Sequence, residues 1–180
     1  MATILNKQWR LASRPVGEAT AENFRLVEAP LPELAEGQVL VRHHYLSLDP
    51  YMRGRMNDAK SYAQPQALDA VMGGGTVGEV VASRNARFAA GDKVAGMGGW
   101  QQYAVVDADQ GGVLMKVDAT LIPLSAYLGV VGMPGVTAWY GLTQIIEPKA
   151  GETVVVSAAS GAVGSVVGQL AKQLGCRAVG

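Results

Sequence analysis

Between residues 39 and 117 the chain alternates short apolar, β-branched runs with breaks rich in glycine and charge. VLVRHHYLSL (39–48), GTVGEVVAS (75–83), DKVAGMG (92–98), QQYAVVDA (101–108) and VLMKV (113–117) each have the length of a strand. EG at 36–37 and AAGD at 89–92 supply turn signals. Many short strands joined by glycine-rich turns predict a small barrel or sandwich. The period changes near residue 121. LIPLSAYLGVVGMPGVTAWYGLTQII has helical spacing, broken at Pro134 and Gly135. ETVVVSA is then a continuous apolar run, the pattern of a strand buried on both faces of a parallel sheet. GAVGSVVGQLAKQLG follows as a helix with Gly175 as its C-terminal cap, and CRAVG starts a second strand. Strand, tight turn, helix and strand make a βαβ unit, so the chain is expected to be mixed α/β.

Composition narrows the class. The 180 residues suffice for one domain and part of another, and 49% hydrophobic content is ample for a core. Fifteen basic residues balance fifteen acidic ones, which argues against a nucleic-acid partner or an anionic membrane surface. Cys176 is the single cysteine, so neither a disulfide framework nor a cysteine-rich zinc site can form. The first ten residues, MATILNKQWR, hold no signal-peptide core, and no apolar run reaches membrane-spanning length. The expectation is a cytoplasmic chain with no membrane partner. Cys176 itself reads as a small buried apolar residue.

The turn SAASGAVG (157–164) carries the candidate chemistry. Laid over the dinucleotide pattern G-x-G-x-x-G, residues 159–164 match its second and third glycines, with Ala159 in place of the first. Gly161 would let backbone approach a pyrophosphate, and Gly164 would let the helix pack closely on the strand. The N–H groups of Ala162, Val163 and Gly164, at a helix N-terminus, would face the phosphates. The competing reading is a glycine-rich turn that binds nothing; the strand before it and the helix after it favour the cofactor. Gly164, Gly168 and Ala171 read as a smooth stripe for close helix–sheet contact. The residue that chooses between NAD and NADP falls about 20 positions after the fingerprint, just past Gly180.

Together with LSLDPYMRGRM (46–56), GMPGVTAWYGL (132–142), PKAGETVVVSAASGAVGSVVGQLAK (148–172) and GCRAVG (175–180), this turn resembles the medium-chain dehydrogenase/reductase superfamily. Within it the chain is similar to the zinc-independent branch of prostaglandin/leukotriene reductases, plant alkenal double-bond reductases and bacterial curcumin reductase. WRLASRPVGEATAENFRL, at the start, is similar to the bacterial curcumin-reductase group. The resemblance implies the N-terminal part of a GroES-like β-barrel catalytic domain over 1–123. Residues 124–180 would be linking helices and the first βαβ unit of an incomplete Rossmann fold. It also implies a truncated chain, inactive alone, of a parent that is an NADP(H)-dependent oxidoreductase and a homodimer.

The implied reaction is reduction of the C=C bond of an α,β-unsaturated ketone or aldehyde. Zinc alcohol dehydrogenases of the superfamily place a cysteine at Ser47, Leu48 or Asp49 and Gly-His-Glu near 73–75; those ligands are missing here. His43 and His44 are adjacent on a strand and point to opposite faces, so no shared metal is expected. By resemblance Pro50, Tyr51 and Met52 line the nicotinamide and substrate cleft, with Tyr51 hydrogen-bonding the enone oxygen directly or through the ribose hydroxyl. Tyr62, in a polar loop, is a further substrate candidate. Met133 and Thr137 resemble positions that contact the nicotinamide carboxamide. Arg53 and Arg55 could reach an anion but read more simply as a solvated turn, and Trp139 and Tyr140 read as core. Two alternatives use the same residues: a non-catalytic binding module that keeps the barrel, and a quinone reductase of the neighbouring branch.

Overall fold

The computed structural model describes residues 4–61, 63–110 and 114–180, and the chain divides into two compact units, Met1–Leu124 and Ser125–Gly180. In the first unit a five-stranded antiparallel sheet runs in the order β6-β3-β4-β5-β7. Its strands are β3 (Gln38–Leu46), β4 (Thr76–Ser83), β5 (Lys93–Gly96), β6 (Tyr103–Asp107) and β7 (Leu114–Lys116). These are the five strands expected from the apolar runs, with ends that differ from them by at most two residues. Alternate valines point inward, and Val39, Val41, Val80 and Val94 close a core with Phe88, Ala108 and Leu114. Glu79 and Lys93 face each other across β4 and β5 as an ion pair. β3 shifts register between His43 and Tyr45, where Gly78 lies opposite. A Cβ on Gly78 would stand 2.1 Å from the Arg42 carbonyl oxygen, so only glycine lets the strands approach there.

An antiparallel pair, β1 (Leu5–Leu11) and β2 (Phe24–Pro30), was not expected from the sequence pattern. The alternation in β1 runs opposite to the usual sense. Asn6 is buried while Leu5 and Trp9 are exposed. The inward polar groups converge on Gln101, whose Oε1 accepts from Asn6 Nδ2 at 3.0 Å and Gln8 Nε2 at 3.1 Å. Gln101 Nε2 in turn donates to the Gly98 carbonyl at 2.8 Å. His43 joins this cluster by donating from Nδ1 to the Gln101 carbonyl at 2.8 Å. Burial holds the His43 imidazole below the ordinary histidine pKa; the bond to Gln101 opposes that, and neighbouring His44 adds to it. His44 is turned the other way, towards Glu79.

A short 3₁₀ turn (Leu124–Leu128) opens the second unit, which holds helix α2 (Met133–Tyr140), β8 (Thr153–Val155), α3 (Gly164–Gln173) and β9 (Arg177–Val179), with β8 and β9 parallel. Pro134 does not break a helix here: it lies in the first turn of α2, where its missing N–H is harmless. From Gly141 to Ile146 the helix widens to π geometry, and Glu147 N–H reaches back to the Leu142 carbonyl at 2.9 Å. α3 ends in a Schellman motif: Cys176 N–H bonds Ala171 O, Gly175 N–H bonds Lys172 O, and Gly175 has φ +78°. Leu142, Val154, Ala171 and Cys176 form the core of this unit.

Three further expectations fail in this unit. β8 is covered on one face only, since Val154 is buried and Val155 is 77% exposed. Trp139 and Tyr140 are exposed, because α2 buries the face that carries Pro134, Gly135 and Ala138. Gly168 is not in close contact: a Cβ there would meet nothing within 4 Å. Among the described residues no helix is long and apolar enough to cross a membrane.

Candidate functional site

In the first unit the DPYM corner follows directly from β3. Ser47 N–H bonds the Gly75 carbonyl at 2.9 Å, and Ser47 Oγ donates to Asp49 Oδ1 at 3.0 Å. Pro50 has φ −55° and ψ −33°, so its ring presets the first turn of helix α1 (Tyr51–Arg55). Pro50 is exposed, Tyr51 is half-buried and Met52 is buried. Met52 packs where Gly74 leaves room, since a Cβ on Gly74 would lie 2.9 Å from Met52 Cε. Met52 thus anchors the corner, while Pro50 and Tyr51 reach its surface. Tyr62 lies outside the described residues.

The two arginines of this corner have separate tasks. Arg53 Nε donates to the Gly17 carbonyl at 3.1 Å and Nη1 to Asn57 Oδ1 at 2.7 Å, which straps the 15–17 segment onto α1. Arg55 instead stands over the Tyr51 ring, with its guanidinium carbon 5.3 Å from the ring centroid. The expected solvated turn therefore splits into a clamp and a cation stacked on an aromatic ring.

In the second unit the turn after β8 bends through Ala158, which has φ +49°. Its carbonyl accepts the Gly161 N–H at 2.8 Å. A Cβ on Gly164 would sit 2.3 Å from that same oxygen, and one on Gly161 would sit 3.1 Å from it. Both glycines are thus set by the tightness of the turn. Val163, at the N-cap of α3, is already helical, and no side chain caps the helix. Among the described residues the N–H groups of Ala162, Val163 and Gly164 donate to no backbone carbonyl. Three open donors on a ten-residue helix suit an anionic group such as a pyrophosphate. β9 returns beside the turn, with a Cβ on Gly180 falling 2.3 Å from Ala159 Cβ.

Met133 and Thr137, with Val136, Tyr140 and Ile145, line a nearly apolar groove of about 530 Å³ on α2. Thr137 Oγ1 donates to the Met133 carbonyl at 2.8 Å, which leaves its lone pairs free to accept from an amide. Cys176 is buried, and its thiol donates to the Lys149 carbonyl at 3.3 Å. Among the described residues no three His, Cys, Asp or Glu side chains gather as metal ligands would.

Residues 7–116 match the family described as the N-terminal domain of oxidoreductase. This chain belongs to that family. It is 52% identical over 175 residues to the NADPH-dependent curcumin reductase of Escherichia coli, covering 97% of this chain and 50% of that protein. It is 45% identical over 182 residues to the 2-alkenal reductase (NADP(+)-dependent) of Nicotiana tabacum, covering 98% of this chain and 52% of that protein. The crystal structure of CurA from Vibrio vulnificus in complex with NADPH superimposes with a TM-score of 0.86 at 53% identity, covering 96% of this chain and 50% of that one. These relatives bear out the resemblance to the medium-chain reductases and the mixed α/β fold. The chain spans about half the length of the curated relatives it matches.

Proposed function

We propose that the full-length protein reduces the C=C bond of α,β-unsaturated ketones and aldehydes with NADPH. The carrying observation is the open donor cluster of Ala162, Val163 and Gly164 at the start of α3, in a chain about half identical to an NADPH-dependent curcumin reductase. In this reading those N–H groups bind the pyrophosphate, Gly161 lets the backbone come close to it, and Gly164 keeps the start of the helix packed on the turn. Met133 and Thr137 would hold the nicotinamide carboxamide. Bound NADPH would supply the hydride for the β-carbon of the substrate, being oxidised to NADP⁺. Negative charge develops on the carbonyl oxygen, and Tyr51 donates a hydrogen bond to that oxygen; a proton from solvent then completes the α-carbon. Pro50 and Met52 hold the Tyr51 turn in place, and Tyr62 is a further substrate contact.

Residues 1–123 are, on this reading, the N-terminal part of a GroES-like catalytic domain, and residues 124–180 open a Rossmann domain. The full-length protein pairs as a homodimer. The 180-residue chain alone, with one βαβ unit of the cofactor site, has little or no turnover. The deciding assay gives the full-length protein NADPH and crotonaldehyde and identifies the product. Butanal supports the reading. Crotyl alcohol would mean that the carbonyl is reduced instead, and no NADPH oxidation with enones but rapid oxidation with quinones would move the protein to the quinone branch.

A further inference from the structure

Tyr51 and Arg55 are the two ends of α1, four residues apart and so on one helix face. Neighbouring arginines show what a scaffold arginine does in this corner. Arg14 Nη1 donates to the Met56 carbonyl at 2.9 Å, and Arg53 uses all three of its nitrogens on Pro15, Gly17 and Asn57. The Arg55 side chain makes no hydrogen bond among the described residues, and its Nε is enclosed without a partner. The nearby polar side chain, Gln66, is already committed. Its Oε1 accepts from Gly73 N–H at 3.1 Å and its Nε2 donates to the Val71 carbonyl at 3.1 Å. An enclosed cationic donor without an acceptor is unfavourable unless something else offsets it. The face of the Tyr51 ring, 5.3 Å from the guanidinium carbon, is that compensation.

We propose that Arg55 is a positioning residue for the reduction: it fixes the Tyr51 ring and sets positive charge against it. A cation over a phenol ring stabilises the negative charge that builds as the hydroxyl gives up its proton, and so makes the hydroxyl a stronger donor. That gain is largest when the acceptor is an oxygen taking on negative charge. In this role Arg55 acts through the Tyr51 ring and not on substrate or cofactor directly, and the proposal rests on the reading of Tyr51 as the donor to the enone oxygen.

A double-mutant cycle in the full-length protein, with NADPH and crotonaldehyde, tests this. Tyr51→Phe removes the donor and lowers kcat about a hundredfold. Arg55→Met lowers kcat about tenfold, leaves KM for NADPH within about twofold, and costs nothing further in the Tyr51→Phe background. Arg55→Lys keeps the charge without the planar stack and retains about a third of kcat, so the proposal stays testable even if Arg55→Met unfolds. Thermal melts of each variant separate loss of fold from loss of rate. Full additivity of the two substitutions overturns the proposal, as does an Arg55→Met effect confined to KM for NADPH, which would make Arg55 a cofactor contact. An impaired Tyr51→Phe beside an unimpaired Arg55→Met retires the Arg55 role alone. An unimpaired Tyr51→Phe retires the Tyr51 reading and this proposal with it.

Discussion

His43 sits neutral against the Gln101 carbonyl, with its pKa held down mainly by burial. The unfolded chain takes up a proton as pH falls through about 6.5, whereas the folded chain waits for a lower pH. Stability therefore falls on acidification below about 6.5, by at most about 1.4 kcal/mol per pH unit, until the folded-state pKa is passed. Urea midpoints between about pH 7.5 and about pH 5 measure this slope, and His43→Gln loses it. Gln101 is the hub of the same cluster. Gln101→Leu strands Asn6 and Gln8 without their shared acceptor and costs about 2–3 kcal/mol, read from the same urea curves. The opposed faces of His43 and His44 were legible, because strand alternation alone dictates them. The inward turn of Asn6 was not. Its burial depends on Tyr103, whose N–H it accepts and whose carbonyl it bonds from 97 positions away. A pattern that sorts positions by hydrophobicity places Leu5 and Trp9 inside and so hides the strand.

At the scale of the element, α3 distinguishes two glycines that look alike in sequence. Gly164 meets the Ala158 carbonyl oxygen, which is backbone and cannot move aside, whereas Gly168 faces open space. Gly164→Ala therefore destabilises the turn by about 2–3 kcal/mol. Gly168→Ala stabilises the helix by about 0.5–1 kcal/mol, since it relieves the entropic cost of glycine and clashes with nothing. Thermal or urea unfolding of both single variants checks the opposite signs. The helix and its Schellman end were legible, because Gly175 and the apolar period are local signals. The widened Gly141–Ile146 turn and the short α1 were not: no local residue marks a π turn, and five residues carry too little period to detect. In the candidate site the glycine turn could be read from spacing. The pairing of Arg55 with Tyr51 could not, because what sets it apart is the hydrogen bonding of Arg53, Arg14 and Gln66.

For the whole molecule, the passage from strands to helices was visible as a change of period near residue 121, since the two impose different repeats on the same apolar residues. How well each unit covers itself was not visible, because an apolar residue reads the same whether or not something packs against it. The second unit leaves Val155 77%, Ile145 71%, Val136 62% and Ile146 59% exposed. Apolar side chains open to water in this number favour association over dispersal. The purified 180-residue chain should accordingly gain mass with concentration in sedimentation velocity. Paired substitutions Val155→Lys and Ile145→Lys add charge at two of the most exposed sites without touching the Leu142, Val154, Ala171 and Cys176 core, so they should return the chain to a monomer with its circular dichroism unchanged. Association that persists in the doubly substituted chain would locate the sticky surface elsewhere. The β9 edge, with Val179 42% exposed, is then the next surface to charge, because an unpaired strand recruits partners through its backbone rather than its side chains.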